Sequence, residues 1–590
     1  MSLDTAGSLT FDQGAILLLL AVLMAVFALD RFRIELVALA GLAAGFALGL
    51  APAAGVFSGF SNPAVVTVAE ILLVIQALAR SRIVEHLSTQ VTRLVKGEGA
   101  ALAFLCGVAG ALSVFMNNVG ALALVLPVAI SLSGRLGIPI RRTLMPVSFA
   151  TLLGGLCSLI GTPANLVVNQ ARVELLGRPF AFFDLAYVGI PVAVLGILFL
   201  IAWAPRQFRF WAPGEPREQG IRQRRLVTEV RIPRPSPFPG QEVSALEAAL
   251  DARVFALVRD GRHVFGRLGE QRLEPADVLV LELPTDTLED ARAAETLELA
   301  TVDGPAVANS ATVDVVLMPQ SIFVGSRVGT LHPLATRGVT VAGVVPQRSR
   351  VEGRLADLQL GIGDVLVLSG PEKAIEEVLD EADLLRLSSR PAAAPKEHSL
   401  VAVAIFALGV LLAAFSIFPP QIAFGFAVLA LSATGSLRLR EALQNLNWPI
   451  LVMLAAMIPL GVAVETTGAA RVLSQLLLEL VPGREPVLVL GCVLLVAVAL
   501  TPFVNNVSTA VILSPIAVEV ARGASLPAGP FLIAVALGAS LDFLTPFGHH
   551  NNTLVMGMAG YRFVDFPRLG GPLLLVTFAA GLLGIWLVWL

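Results

Sequence analysis

Hydrophobic residues in this chain come in long runs. Before a polar middle section they cover about 15–31, 34–52, 63–80, 99–134, 143–169 and 186–204. After it they cover about 399–417, 419–437, 448–468, 485–523, 527–556 and 571–590. Most have the length that carries a helix across a bilayer, so the pattern predicts an α-helical polytopic membrane protein. Runs 99–134 and 485–523 are too long for one helix, and each is broken at its centre by Asn117-Asn118 or Asn505-Asn506. An amide pair at bilayer depth is costly without partners. Each run therefore reads as two spans with a polar turn in water, or as a re-entrant hairpin with its tip near the midplane. Basic residues favour the hairpin. Arg80, Arg82, Arg93 and Lys96 precede the first one, and Arg135, Arg141 and Arg142 follow it, which puts both flanks on the cytoplasmic side. Arms of about 17 residues are also short for a span.

Counting crossings from Arg31 and Arg33 places both termini outside and residues 206–398 in the cytoplasm. Arg438, Arg440, Arg562 and Arg568 then fall inside, while Arg471, Arg484 and Arg522 are an outside minority.

The two hydrophobic thirds match each other. Asn62-Pro63 resembles Asn447 and Pro449, and Asn117 to Asn505 shares one offset, 388, with Pro127 to Pro515. Thr162-Pro163 and Thr545-Pro546 keep nearly that offset, 383. Residues 1–205 thus form one unit of five crossings and a hairpin, and residues 399–590 a second. Five is odd, so the second copy lies inverted, as in secondary transporters.

Charge divides the chain further. It holds 41 Lys and Arg and 44 Asp and Glu, and 51 of these fall in residues 206–400. That section repeats internally: PADVLVLELP around Asp277 resembles IGDVLVLSGP around Asp364. Alternating apolar residues predict strands. LEDARAAETL and EKAIEEVLDEADLL read as amphipathic helices, giving two small cytoplasmic α+β domains, 206–303 and 304–398. Neither a strand-linked GxGxxG nor a Walker A pattern occurs. The three cysteines lie in apolar runs without metal spacing. The acidic start lacks a basic n-region, so no cleaved signal peptide is expected. No basic tract with interleaved aromatics points to nucleic acid.

The polar breaks carry the candidate chemistry. Proline frees a carbonyl, and carbonyl, Asn and Thr oxygens are hard ligands suited to Na⁺. Half-helix N-termini offer N–H groups to an anion. Asn117, Asn118, Gly161 and Asn165, with Thr162, frame one cation site. Asn505, Asn506, Thr545, Pro546 and Asn552, with Ser508 and Thr509, frame its twin. Asn118, Gly120, Thr162, Asn506, Ser508, Thr509 and Thr545 form the anion-contacting set, with no buried arginine. A lone intramembrane Asn is ordinarily helix–helix glue. His549 and His550 line a vestibule or touch substrate. Glu70 and Glu465 either carry a proton or are hydrogen-bonded between helices, and Asp542 either tunes the second site or caps a helix.

The membrane body resembles the divalent anion:sodium symporters, within the wider ion-transporter superfamily that includes arsenite pumps. GFSNPAVVTVAE, both hairpin tips, GTPANLVVN and TPFGHHNNTLVMGMAGYRFVDF carry the resemblance over about two-thirds of the chain. That family's tip triplet is Ser-Asn-Thr. Here it reads Asn117-Asn118-Val119 and Asn505-Asn506-Val507, which keeps the central Asn and loses both hydroxyls. The insert resembles tandem C-terminal lobes of potassium-conductance regulator (TrkA-C) domains. The resemblance implies a homodimer in a bacterial inner membrane and elevator-type, sodium-coupled symport of a small divalent anion, sulfate before dicarboxylate. It also implies a small-molecule or nucleotide ligand on the cytoplasmic lobes and no organic cofactor in the membrane part. Proton-coupled anion or arsenite-type transport, and a regulator-gated ion channel, remain open. No HExxH or GxSxG motif points to an enzyme.

Overall fold

The computed structural model describes residues 9–29, 33–80, 95–209 and, with short gaps, 225–299, 311–346, 354–387 and 399–590. Arg31, Arg82, Arg93, Arg484 and most of the predicted helix LEDARAAETL lie outside the described residues.

The first helical series is α1 (Phe11–Leu29), α2 (Ile34–Ala47), α3 (Pro63–Arg80), α4 (Glu98–Phe115), α5 (Asn118–Leu136), α6 (Leu144–Gly154), α7 (Pro163–Leu176) and α8 (Ala186–Arg209). The polar insert follows, with α9 (Val243–Leu250) and α10 (Glu372–Glu381) against one antiparallel sheet. The second series is α11 (Ser399–Ala414), α12 (Pro420–Ala433), α13 (Leu439–Gln444), α14 (Trp448–Thr466), α15 (Ala469–Glu479), α16 (Pro486–Leu500), α17 (Asn506–Gly523), α18 (Ala528–Gly538), α19 (His550–Ala559) and α20 (Asp565–Trp589).

Proline opens α3, α7, α12 and α16, where its missing N–H has no intrahelical partner to lose. Five described helices are long and apolar enough to cross a membrane: α4, α5, α8, α14 and α20. Arms α4 and α5 reach 18 and 19 residues, so they are longer than the pattern predicts and length alone does not argue against a span. Run 448–468 ends at Thr466, after which amphipathic α15 begins. The two series interlock: α2 packs on α14, α3 on α12, α7 on α17 and α8 on α20. Every residue of α6 and α18 that can be classed after its first two positions is buried, so these short helices lie at the centre.

In the insert the strands are β1 (Arg225–Arg231), β2 (Arg253–Arg259), β3 (Arg262–His263), β4 (Val278–Pro284), β5 (Glu298–Leu299), β6 (Ala311–Leu317), β7 (Thr340–Val345), β8 (Val365–Gly370) and β9 (Leu384–Arg386). Their order is β3-β2-β4-β1-β7-β8-β6-β9, with β5 beside β1. Two local patterns recur. Asp277 accepts the Glu274 N–H and Asp364 the Gly361 N–H, each at 2.7 Å. Asp277 also takes both arms of Arg259 at 2.8 Å and holds that guanidinium above its ordinary range. The two strand groups meet where β1 pairs with β7. There, buried Glu229 accepts the Leu355 N–H at 2.8 Å. Helix α10 stops at Glu381, short of the predicted EKAIEEVLDEADLL, because Leu384–Arg386 pairs with β6 as β9.

Candidate functional site

The hairpin tips are built alike. Asn117 has an extended backbone, and its Oδ1 accepts the Gly120 N–H at 2.9 Å. Asn505 Oδ1 accepts the Ser508 N–H at the same distance. Each caps the helix that starts at the next residue, satisfying a first-turn donor. Gly120 is small for a reason: a Cβ there would sit 2.7 Å from Asn117 Oδ1. Thr509 braces its tip by donating to the Val504 carbonyl at 3.2 Å.

The second Asn of each pair faces inward. Asn118 is buried, with Ser113 Oγ donating to its Oδ1 at 2.7 Å and its Nδ2 3.3 Å from His549 Nε2. Its carbonyl accepts from Asn551 Nδ2 at 2.9 Å. His549 Nδ1 accepts the Asn551 N–H at 3.1 Å, so a neutral ring carries its proton on Nε2. Turning the Asn118 amide over, oxygen to His549 and nitrogen to Ser113, satisfies all three groups.

Two broken helices surround the tips. In the first, Asn165 Nδ2 donates to the Gly155 and Ser158 carbonyls at 3.0 and 2.8 Å, and the Gly161 N–H donates to Ser158 Oγ at 3.1 Å. In the second, Asn552 Nδ2 donates to the Asp542 and Thr545 carbonyls at 2.8 and 3.2 Å, and the Gly548 N–H donates to Thr545 Oγ1 at 3.2 Å. Gly155 therefore answers to Asp542, Ser158 to Thr545, Gly161 to Gly548, Thr162 to His549 and Asn165 to Asn552. This corrects the match of Thr162-Pro163 to Thr545-Pro546. Thr545 does the work of Ser158, and the Pro546 carbonyl accepts from Thr553 Oγ1 at 2.6 Å.

The tips bond across the molecule. Asn506 Nδ2 donates to Thr162 Oγ1 at 3.3 Å, while Asn118 meets His549 and Asn551 of the other series. The predicted sets, each drawn within one series, are thus joined through opposite partners. Asn118 also touches its own series: a Cβ at Gly155 would lie 2.5 Å from its Oδ1. No hydrogen bond among the described residues links Asn505 or Asn506 to Thr545, Pro546 or Asn552.

Several buried oxygens here have no hydrogen-bond partner among the described residues: Asn165 Oδ1, Ser508 Oγ, Asn551 Oδ1 and both oxygens of Asp542. No group of three His, Cys, Asp or Glu gathers among the described residues. The amide and hydroxyl oxygens among these buried atoms suit a hard cation without a dedicated acidic cage. Thr162 makes no side-chain cap at α7; Pro163 has no N–H and the Asn165 N–H donates to the Thr162 carbonyl at 3.1 Å, so what the start of α7 offers an anion is chiefly its positive dipole end. Arg172 is buried, against the expectation, but it lies at the far end of α7, roughly 15 Å along the axis from Thr162. There it stacks on Phe180 at 3.8 Å.

Ser113, Ser148, Thr151, Ser158 and Asn551 join this cluster although the sequence pattern does not mark them. Ser148 Oγ donates to Asn552 Oδ1 at 2.8 Å, and Asn551 Nδ2 donates to Thr151 Oγ1 at 2.7 Å. A faint trace was present in Ser148 and Thr151, one helical turn apart in an otherwise apolar segment. His549, expected to line a cytoplasmic vestibule or touch substrate, bonds to this cluster through Asn118 and Asn551. Glu70 lies away from it on α3, its Oε2 buried without a hydrogen bond, so the inter-helix bonded reading does not hold for that oxygen.

A family model described as citrate transporter matches residues 24–525 and 466–590. The chain is 29% identical over 599 residues to an uncharacterized transporter, YfbS, of Escherichia coli, covering 96% of this chain and 97% of that protein. It is 27% identical to a Synechocystis transporter, over 95% of this chain and 94% of the relative. A Chlamydomonas reinhardtii protein named sodium/sulfate cotransporter 2 is 28% identical over 285 residues, 44% of this chain and 32% of that protein.

Proposed function

Because this chain belongs to the citrate transporter family, a family of multi-pass membrane transporters within the ion transporter superfamily, we propose that it is a sodium-coupled symporter of a small divalent anion, sulfate before dicarboxylate. The observation that carries this reading is the cross-bonded pair of tips and breaks with partnerless buried oxygens beside it. Such oxygens pay a desolvation penalty unless a ligand takes them up. The partial similarity to a protein named for sodium and sulfate supports the same pair of substrates. In this reading Asn118, Asn165, Asn506, Ser508, Asn551 and Asn552 hold cations. Thr162 and the positive dipole end at the start of α7 face the anion.

The tips meet residues of the central broken helices, which supports re-entrant hairpins in two inverted units, 1–205 and 399–590. The packing of α2 on α14 and α3 on α12 supports a scaffold held still in a homodimer. The hairpins and broken helices then form the elevator that moves. The proposed setting is a bacterial inner membrane, with the insert cytoplasmic and both termini outside. The test is a thermal-shift screen of the purified protein against sulfate and dicarboxylates, with and without sodium. An anion that stabilises only in sodium supports the reading. Equal stabilisation in choline overturns sodium coupling.

The insert, read as two TrkA-C-like lobes (206–303 and 304–398), is proposed to regulate transport. Its support is one contact. Gly363 has φ +84°, and a Cβ there would lie 3.3 Å from Gly557 Cα and 3.4 Å from the Leu554 carbonyl, both on α19. The corresponding turn of the first lobe accommodates Ala276 at φ +75°. Gly363 therefore answers to its contact as well as to its backbone. Val316, Met318, Val365 and Leu387 extend this seat into the membrane core. Helix α19 begins with the site residues Asn551 and Asn552, so a lobe that shifts pushes on the site. Gly363→Ala is expected to change the uptake rate by roughly two- to thirty-fold, the effect of about 0.5–2 kcal/mol of coupling. Vesicle uptake measured beside wild type checks it, and an unchanged rate reduces the seat to packing.

A further inference from the structure

The two breaks share one hydrogen-bond pattern, but they differ at one matched position. In the first break Gly155 has no side chain, and the Asn118 amide fills the space beside it. In the second break the chain places the carboxylate of Asp542 there. Asp542 is 2% exposed, and neither of its oxygens has a hydrogen-bond partner among the described residues. No Lys, Arg or His side chain among the described residues pairs with it. It does not cap a helix, since no backbone N–H reaches it. Gly548 packs so closely that a Cβ there would overlap the carboxylate.

A bare carboxylate in this position costs several kcal/mol. A neutral acid would also need an acceptor for its proton, and neither oxygen has one. The backbone carbonyls of Asp542 and Thr545 belong to the same break, where both accept from Asn552 Nδ2. Oxygen ligands and one full negative charge make a site for a monovalent cation.

We propose that Asp542 is the charged ligand of a cation site in the second break, so that the twin sites are unequal. The first is built from neutral oxygens and binds its cation weakly. The second carries a fixed charge, binds more tightly and fills first. Filling it neutralises that bare carboxylate. An empty second site leaves that charge uncompensated inside the protein, which raises the cost of carrying it across the bilayer and so suppresses movement without the ion. This inference rests on the cation-coupled reading above.

The test titrates sodium, replacing choline at constant ionic strength and without anion, into purified full-length protein while the melting temperature is followed. Wild type is expected to be stabilised. Asp542→Asn is expected to need at least ten-fold more sodium for the same shift. Asp542→Gly, which reproduces the residue of the first break, is expected to behave likewise and serves if the amide variant does not fold. A wild-type response to sodium with an unchanged midpoint in either folded variant overturns the role of Asp542 alone. A wild type that ignores sodium but responds to lithium or potassium overturns sodium coupling, and loss of that response in the variants still supports Asp542. Indifference to all three cations overturns both.

Discussion

Asn118→Ala is expected to remove sodium-driven uptake, lowering it by about 100-fold or more, while leaving a folded protein. The side chain is the hub through which the first tip meets Ser113 and His549, and it fills the space beside Gly155. Truncation strands the Ser113 hydroxyl and the His549 ring in a buried setting, at about 1–3 kcal/mol for each lost partner. It also removes an amide oxygen from the proposed cation site. About 2.7 kcal/mol of lost stabilisation suffices for 100-fold in rate. Asn506→Ala is expected to act through Thr162, with a smaller disturbance of the surrounding bonds because Asn506 is only half-buried. Uptake by reconstituted vesicles, beside a gel-filtration profile and melting temperature, separates the site from the fold. Normal sodium dependence in both variants would show that the tips do not hold the ion.

Gly155→Ala is expected to be nearly as damaging, although it adds a single methyl group to a residue that bears no functional atom. The new Cβ would lie 2.5 Å from Asn118 Oδ1 and 3.3 Å from its Cγ. Contacts that close force the amide to move, and its bonds to Ser113 and His549 move with it. A displacement of about 1 Å at a binding centre costs on the order of 100-fold. Gly134→Ala is the control. It lies on α5, and a Cβ there meets nothing within 4 Å. A helical Gly-to-Ala change of that kind is mildly stabilising. Uptake kinetics of the two variants check this, and equal activity would show that the Gly155–Asn118 contact does not position the site.

The sequence pattern made the membrane body legible because a helix must hold its apolar length to cross lipid. It also marked the two helix breaks, because an amide pair at the centre of such a run is costly without partners. Asn165 and Asn552 stand out for a different reason, the proline-broken polar segments in which they lie. Four features were not legible. The crossing of each tip to the opposite series depends on how two halves interlock, which no local pattern encodes. The matching of the breaks was misjudged because the Thr-Pro pairs are conspicuous, whereas the residues that share roles, Ser158 with Thr545 and Thr162 with His549, differ in type. Asn551 was passed over beside Asn552, although only the three-dimensional placement shows that one amide reaches Asn118 and the other holds its own break. The seat of Gly363 on α19 joins residues nearly 200 positions apart and left no trace but a glycine in a turn.

The central claim is that anion movement is driven by sodium through the paired tips. The most direct measurement is uptake of labelled sulfate, and of a labelled dicarboxylate, into vesicles containing the purified protein under imposed gradients. An inward sodium gradient without a pH gradient should drive accumulation of one of these anions above equilibrium, and Asn118→Ala should abolish it. Accumulation driven equally by a pH gradient in the absence of sodium would contradict the account.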